Sequence, residues 1–210
     1  QAVGLFSGGI DSPVAVWMLM KRGVGVLPLF MDQRPFVGDS YVERAITAFK
    51  HMANYVPRSS YKLYAAPMGD VMQRITETEE PRFTCVMRKR SMYRIAEEFA
   101  KRYEALAVIT GESMGQVASQ TLSNMYVLSS SIQLPILRPL VGLDKIEIED
   151  IARVIGTYNL TAKSTEGCKV VPEGPATRSR IEIIEELETD LDLVALCKEA
   201  AAGISVIAEA

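Results

Sequence analysis

The stretch that decides the fold is Ala2-Val3-Gly4-Leu5-Phe6-Ser7-Gly8-Gly9-Ile10-Asp11-Ser12. Its first half is an apolar run of strand length, and its second half is a glycine-rich turn. From Ser12 onward, apolar residues recur at helical spacing as far as Lys21-Arg22-Gly23, a basic last turn followed by glycine that is typical of a helix end. The stretch therefore predicts a strand, a glycine loop and a helix, in that order.

The rest of the chain repeats this alternation. Further apolar runs of strand length occupy residues 24–30, 61–66, 105–110 and 135–140. Helical patterns lie at residues 41–55, 69–78, 85–103, from about 116, at 144–155 after an expected N-cap at Asp144, and at 179–202. Alternating strands and helices pair in parallel through right-handed crossovers. The predicted fold class is α/β, with an open, mostly parallel five-stranded sheet and helices on both faces, as in Rossmann-like folds.

Composition and charge exclude several classes of protein. The 210 residues carry 23 Lys and Arg against 26 Asp and Glu, a net charge of −3, which argues against nucleic-acid binding over the whole surface. The apolar run at 14–20 is too short to span a membrane. Three widely spaced cysteines are typical of a reducing compartment, so we expect a cytoplasmic protein. Because the chain starts at Gln1 rather than Met, we also expect it to be part of something longer.

The glycine loop has the chemistry of a phosphate site. A helix that starts after a parallel strand offers free N–H groups and a partial positive charge to an anion. Gly8 and Gly9 let the backbone approach a phosphate, Ser7 and Ser12 add hydroxyl donors, and Asp11 is the candidate ligand for Mg²⁺. A Ser-Gly-Gly run also occurs in ordinary turns. The Gly-x-x-x-x-Gly-Lys pattern of γ-phosphate transfer is missing.

The loop resembles the signature of the PP-loop ATP pyrophosphatases, also called adenine nucleotide alpha hydrolases, which cleave ATP to AMP and pyrophosphate while adenylating a substrate. Further segments are similar to the catalytic domain of tRNA 4-thiouridine synthetases (tRNA uracil 4-sulfurtransferases). They are Met87 to Ala96, Thr110 to Leu122, and Pro135 to Leu140 with Asp144-Lys145. The similarity runs from about Val3 to Glu188. It implies a PP-loop domain at 1–157, and at 158–210 a cysteine loop and C-terminal helices packed on that domain.

The resemblance also implies an activity. Such enzymes adenylate a uridine carbonyl in tRNA, and a persulfide sulfur then displaces AMP to give 4-thiouridine; some members also serve thiamine thiazole synthesis. ATP and Mg²⁺ are the implied cofactors, and tRNA and a cysteine desulfurase or another persulfide donor are the implied partners. An N-terminal RNA-binding domain ahead of this chain, a homodimer and the absence of a membrane partner are further expectations. A PP-loop pyrophosphatase with a small-molecule acceptor and a non-catalytic ATP-binding module are the alternatives.

The resemblance assigns nucleotide contacts by position. Beyond the loop residues, the matching positions are Leu5, Phe6, Phe30, Met31, Lys89, Gly111 and Gln120. The four strand residues could instead simply pack the core. Lys89 could be an exposed helix charge, and Gly111 could be only a strand-to-helix turn.

Two residues are implied in the chemistry itself. Lys145 matches a functional lysine that directs positive charge at phosphate, although it could be an ordinary lysine near a helix start. Cys168 matches a loop cysteine implicated in sulfur transfer, and Lys163 and Lys169 nearby favour its thiolate. It could also be a small loop residue without a role.

The remaining cysteines and a run of basic residues complete the prediction. Cys85 either pairs with Cys168 or packs, and Cys197 is expected to fill the core. An iron–sulfur cluster is not expected, because Arg88 stands where some relatives carry the second cysteine of Cys-x-x-Cys. Seven basic residues between Arg82 and Arg102 form either a strip that faces tRNA phosphates or a solvated helix face.

Overall fold

The computed structural model describes residues 1–56, 61–162, 170 and 172–210. Within these residues, six strands form one sheet: β1 (Ala2–Leu5), β2 (Val26–Asp32), β3 (Lys62–Pro67), β4 (Val108–Ile109), β5 (Ile136–Leu137) and β6 (Ser205–Glu209). Their order is β5-β4-β1-β2-β3-β6. The first five strands are parallel, and β6 pairs antiparallel with β3. The α/β class and the mostly parallel sheet are confirmed.

Helices cover both faces of the sheet, as predicted. In the described residues they are α1 (Asp11–Met20), α2 (Asp39–Met52), α3 (Gly69–Thr76), α4 (Thr84–Arg102), α5 (Leu122–Ser129), α6 (Lys145–Val154), α7 (Tyr158–Thr161), α8 (Ile181–Asp190) and α9 (Leu193–Ala202). One apolar core lies between the sheet and α3, α4, α5, α8 and α9, and the other lies between the sheet and α1, α2 and α6. Because both faces are covered, strands such as β1 are apolar throughout rather than alternating.

The structure corrects the sequence prediction in two places. The sheet has a sixth strand, because the apolar tail after α9 returns to the free edge of β3 and completes its hydrogen bonding. The helix expected from about residue 116 begins only at Leu122, where the Thr121 side chain accepts a hydrogen bond from Asn124 N and caps the helix. The expected cap at Asp144 is confirmed, as part of a capping box with Glu147.

The C-terminal segment packs on the sheet. Ile184 in α8 and Leu193 and Cys197 in α9 lie in the same core as α4 and β2. The boundary at residue 157 stays a prediction about how the chain is organised. In the part of the chain that the structure describes, no helix is both long enough and apolar enough to cross a membrane.

Candidate nucleotide-binding site

A cavity of about 240 Å³ opens at the carboxyl ends of β1, β2 and β4. The chain runs outward from β1 in both directions, to β2 on one side and to β4 on the other. Parallel sheets bind ligands at such a switch point, because the loops on its two sides turn away from each other and leave a crevice.

The predicted nucleotide contacts meet at this cavity. Those that line it are Leu5, Phe6, Ser7, Gly9, Asp11, Ser12, Phe30, Met31, Lys89, Gly111 and Gln120. Gly8 is not among the residues that line the cavity. It packs against α2, where an added Cβ would lie 2.8 Å from Arg44 Nε and 3.1 Å from Tyr41 O. The fold thus brings residues from four separate parts of the chain to one cavity, and their contacts with a nucleotide stay predictions.

The loop between β1 and α1 is held by its two serines. Ser7 N donates to Ser12 Oγ at 2.8 Å, Ser12 Oγ donates to Ser7 O at 3.1 Å, and Gly9 N donates to Ser7 Oγ at 3.2 Å. Gly111 lets the loop after β4 come close, since a Cβ there would lie 3.0 Å from Asp11 C and Ser12 N. Both loops are therefore fixed before any ligand binds.

Asp11 in α1 feels the charge of Lys145 in α6, the helix that packs against α1. Burial raises the pKa of the Asp11 carboxyl, the charge of Lys145 opposes that rise, and Glu149 adds to it. Lys145 is exposed at the first position of α6 and, unlike Asp11, is not among the residues that line the cavity. A partly buried carboxylate at the edge of the glycine loop has the chemistry of a ligand for a metal-bound phosphate.

The main chain of β2 presents a pair of polar groups at Met31, one of the predicted nucleotide contacts. Phe6 N donates to Leu29 O at 2.9 Å, and β1 then leaves the sheet. Since alternate residues of a parallel strand direct their N–H and C=O groups to the same neighbour, those of Met31 point into the space that β1 vacates. Met31 lines the cavity. A donor and an acceptor side by side match the amino group and N1 at the edge of adenine.

Glu112 is a cavity residue that the sequence analysis missed. It is buried and accepts hydrogen bonds from Lys89 Nζ at 2.9 Å, from Arg138 Nε at 2.8 Å and from Tyr93 OH. Burial alone would raise the pKa of this carboxyl, but Lys89, Tyr93 and Arg138 together hold it below its usual value. Glu112 therefore fixes Lys89 at the cavity. A signal was available, because Glu112 and Arg138 follow adjacent parallel strands.

The basic run from Arg82 to Arg102 is divided among different environments: Arg88 and Lys89 line the cavity, whereas Arg90 and Arg94 are paired with Glu188. Its role toward tRNA phosphates stays a prediction. Arg90 is 0% exposed and donates to both carboxylate oxygens of Glu188, at 2.8 and 3.0 Å. Arg94 donates to the same two oxygens, at 2.6 and 2.8 Å. These arginines join α4 to α8 and turn away from solvent. Arg82 and Lys101 are the exposed cations of the run that also pair, with Glu80 and Glu98.

The cysteines occupy different environments. Cys197 is buried in the core, as predicted, and burial raises the pKa of its thiol to about 11. Cys85 is half-buried with a free thiol. Cys168, Lys163 and Lys169 lie outside the described residues, and so does any pairing of Cys168 with Cys85.

These environments predict selective alkylation. At pH 8 in the native protein, iodoacetamide should modify Cys85 at least about ten times faster than Cys197, because a buried thiol with a raised pKa offers little thiolate. Peptide mass spectrometry measures both rates. Addition of urea is the control, since unfolding should bring the two rates together. Equal rates in the native protein would contradict the buried position of Cys197.

Comparison with known proteins places the chain in a family. The family model "Thiamine biosynthesis protein (ThiI)" matches residues 1–193. The chain belongs to the ThiI family. Among curated ThiI relatives, it is 42% identical over 194 residues to a probable tRNA sulfurtransferase of Caldanaerobacter subterraneus subsp. tengcongensis, covering 91% of this chain and 50% of the relative. It is 38% identical over 207 residues to a probable tRNA sulfurtransferase of Methanosarcina mazei, covering 99% and 51%.

A solved structure of a ThiI-like enzyme agrees. The crystal structure of a 4-thiouridine synthetase in complex with RNA and bound ATP superposes with a TM-score of 0.92 at 37% identity, covering 99% of this chain and 55% of that one. The resemblance predicted from the glycine loop is therefore confirmed. The chain spans about half the length of the relatives that it matches.

Proposed function

We propose that this chain catalyses the ATP-dependent step of tRNA thiolation, in which a uridine is adenylated before sulfur replaces its 4-carbonyl oxygen. The observation that carries the proposal is the cavity where β1, β2 and β4 end, since it combines the glycine loop, the Asp11 carboxyl and the polar main chain of Met31. The similar 4-thiouridine synthetase has ATP and RNA bound, which supports the same ligands for this ThiI chain.

ATP lies across the cavity in this proposal. The adenine edge faces the N–H and C=O of Met31, and the phosphates lie over the loop from Ser7 to Ser12 at the start of α1. Free N–H groups of the first helical turn and the helix dipole favour the anion there. Lys89, held by Glu112 at 2.9 Å, adds a positive charge from the α4 side.

Mg²⁺ fits this site through Asp11. The described residues contain no group of three or more His, Cys, Asp or Glu side chains that could hold a metal. Mg²⁺ commonly takes one or two protein carboxylates and fills its other positions with phosphate oxygens and water. Asp11 would hold the ion, which would neutralise charge on the phosphates. Lys145 would stabilise the charge that develops on the departing pyrophosphate.

The proposed chemistry has two stages, adenylation and sulfur transfer. Uridine O4 attacks the α-phosphorus, the bond from that phosphorus to the bridging oxygen breaks, pyrophosphate leaves, and the uracil N3 proton is lost. The outer sulfur of a persulfide on Cys168, the proposed residue, then attacks C4, and AMP departs to leave a C4–S–S–Cys168 disulfide. A second thiol, from Cys85 or from an external thiol compound, attacks the Cys168 sulfur, which releases 4-thiouridine and leaves a disulfide. A cysteine desulfurase or a similar protein would supply the persulfide. No iron–sulfur cluster is part of the proposal. Membership in a family named for thiamine biosynthesis supports a second use of the same sulfur in thiamine thiazole synthesis.

The expected partners follow from the same proposal. tRNA is the substrate, and because the chain spans about half of its relatives, we propose that an RNA-binding region outside it supplies much of the RNA affinity. A homodimer and a cytoplasmic location complete the proposal. The net charge of −3 on this chain is compatible with a catalytic region that contacts RNA mainly at one face.

One experiment separates the two steps. The protein is incubated with ATP, Mg²⁺, tRNA and a persulfide donor, with pyrophosphate measured enzymatically and 4-thiouridine measured by mass spectrometry of the digested tRNA. The wild type should give both products. The variant Cys168→Ser should keep pyrophosphate release within about two-fold and lose at least about 90% of the 4-thiouridine, because the hydroxyl cannot carry sulfur.

The outcomes are distinct. Pyrophosphate release that does not depend on tRNA would point to a PP-loop enzyme with another acceptor. ATP binding without pyrophosphate would point to a non-catalytic module. Full 4-thiouridine formation by Cys168→Ser would remove Cys168 from the proposal, and Cys197→Ser is the matched control at a buried thiol.

A further inference from the structure

Three buried polar atoms at the cavity have no hydrogen-bond partner in the part of the chain that the structure describes, and the two on Gln33 and Arg88 have no role in the proposed function. Gln33 is only 5% exposed, and its Oε1 is unpaired. Arg88 in α4 has a buried and unpaired Nε. Both residues line the cavity. An acceptor and a donor left unpaired beside one cavity indicate a ligand that presents the complementary pair, because a buried unpaired polar atom is destabilising.

The backbone around Gln33 is fixed. Asp32 O accepts from Met68 N at 2.7 Å, and Gln33 O accepts from Phe36 N at 2.9 Å. Arg34 is held by Asp32 at 2.6 Å and by Asp39 at 2.9 Å. The Gln33 side chain therefore stands on a rigid segment, as expected for a group that reads a ligand.

The position of Gln33 separates it from the proposed adenine site. Gln33 follows the last residue of β2 and lines the cavity together with Leu29 and Met31, which pack in the core next to α4. It comes two residues after Met31, beyond the carboxyl end of β2. The main chain of Met31 already matches the adenine edge, which leaves the amide of Gln33 and the guanidinium of Arg88 for a second ligand at the outer part of the cavity.

We infer that Gln33 and Arg88 bind the uracil base that is to be adenylated. Uracil carries an N3–H donor between two carbonyl acceptors. Gln33 Oε1 accepts from N3–H, and Arg88 Nε donates to the carbonyl O2, which leaves O4 free to attack ATP. When O4 is adenylated, N3 loses its proton and becomes an acceptor, and the amide of Gln33 can then turn to donate its Nε2–H. The inference rests on the proposed function, because it names how that reaction selects its base.

The charged group next to Gln33 Oε1 and Arg88 Nε does not pair with either atom within the described residues. The neighbouring charged group, Glu112, is saturated by Lys89, Arg138 and Tyr93, so the protein satisfies its buried carboxylate internally. The amide and the guanidinium Nε are left for a base that must leave the RNA stack to reach them. Gln120 Oε1 is a third buried, unpaired atom at the cavity and is reserved for ATP in the proposed function.

The test compares RNA binding with ATP binding. The thiolated uridine is first mapped in the wild type by mass spectrometry, and RNAs carrying uridine or N3-methyluridine at that position are prepared. Dissociation constants are measured with an unreactive α,β-methylene analogue of ATP present. The wild type should bind the uridine RNA about 10-fold more tightly than the methylated RNA, since methylation removes the N3–H donor. The variant Gln33→Leu should bind both RNAs equally, at the weaker value.

Two further measurements keep the inference falsifiable. Gln33→Leu should bind the ATP analogue within about two-fold of the wild type, and its RNA-dependent pyrophosphate release should fall about 10-fold. The matched control Gln73→Leu, at an exposed amide on α3, should change none of these quantities.

Several results would overturn the inference. If Gln33→Leu weakens binding of the ATP analogue as much as binding of the RNA, Gln33 contacts adenine rather than uracil. If it still distinguishes the two RNAs, or if the wild type never distinguished them, water rather than uracil satisfies the amide. A wild type that releases no RNA-dependent pyrophosphate refutes the proposed function, and the base assignment with it. If the wild type thiolates tRNA and Gln33→Leu does so at the same rate, only the assignment of uracil to Gln33 and Arg88 is refuted.

Discussion

Replacement of Asp11 by Asn should lower tRNA-dependent pyrophosphate release by about 100- to 1,000-fold, the range found when one preorganised charge is removed from a transition state. Asp11 stands at the first turn of α1, lines the cavity and is partly buried, and it feels the charge of Lys145. Of the two carboxylates among the described residues that line the cavity, it is the one available for the metal on the phosphates, because Glu112 is already paired within the protein. Asn keeps its size and its hydrogen-bonding oxygen but removes the charge.

The experiment compares Asp11→Asn with Asp70→Asn. Asp70 is also an acidic residue in the first turn of a helix, but it is exposed on α3. Steady-state pyrophosphate release is measured over a range of Mg²⁺ concentrations, and circular dichroism checks the fold. Asp70→Asn should behave as wild type. If Asp11→Asn retained the wild-type rate at low Mg²⁺, Asp11 would not be the metal ligand and the proposed catalytic role would be wrong.

Replacement of Glu188 by Gln should lower the free energy of unfolding by about 3–5 kcal/mol, the cost of leaving a buried charge without its partner. Arg90 and Glu188 are 0% and 1% exposed. The Glu188 carboxylate accepts four hydrogen bonds, two from Arg90 and two from Arg94. An amide has one acceptor oxygen and no charge, so the two guanidinium groups would lose their buried counter-charge, and the exposed Glu185 at 3.5 Å from Arg90 would be the remaining acidic partner among the described residues.

Glu185→Gln is the matched control on the same helix. Glu185 lies 3.5 Å from Arg90 but is 54% exposed, so its ion pair is screened by water and should contribute less than about 1 kcal/mol. Urea unfolding followed by circular dichroism measures both variants. Equal and small effects would show that the Arg90–Glu188 pair does not hold α4 against α8. Since α4 also carries Lys89 and Arg88, a loosened α4 should in addition weaken binding of the ATP analogue.

Much of the fold was predictable because its signals are local. Each parallel strand is an apolar run followed by a turn, and each main helix has a periodic apolar pattern, as in the prediction of α4 over 85–103 against the observed Thr84–Arg102. The cap at Asp144 was predictable for the same reason. The tail that forms β6 was not, because a strand at a sheet edge depends on the free edge of β3 and leaves only a short apolar run in the sequence.

The candidate site was partly predictable. Motif resemblance named the residues of the loop and of the strand ends, and all of them except Gly8 line one cavity. Glu112 and Gln33 were missed. Their importance comes from burial and from which partners reach them, and Arg138, which binds Glu112, lies far along the chain. The burial of Arg90 in the basic run was not predictable for the same reason, since its acidic partner Glu188 is on α8.

The sequence by itself determined the parallel α/β fold, the phosphate loop and the family, because strands, helix caps and the glycine loop depend on neighbours within a few residues. Only the tertiary structure decided which polar side chains are paired within the protein and which are left for a ligand. Glu188 pairs with Arg90 and Arg94, two basic residues of the run that could have faced RNA, whereas Gln33 and Arg88 keep unpaired atoms at the cavity. The physical reason is that hydrogen bonding and burial are properties of contacts between distant segments, which no local pattern of residues records.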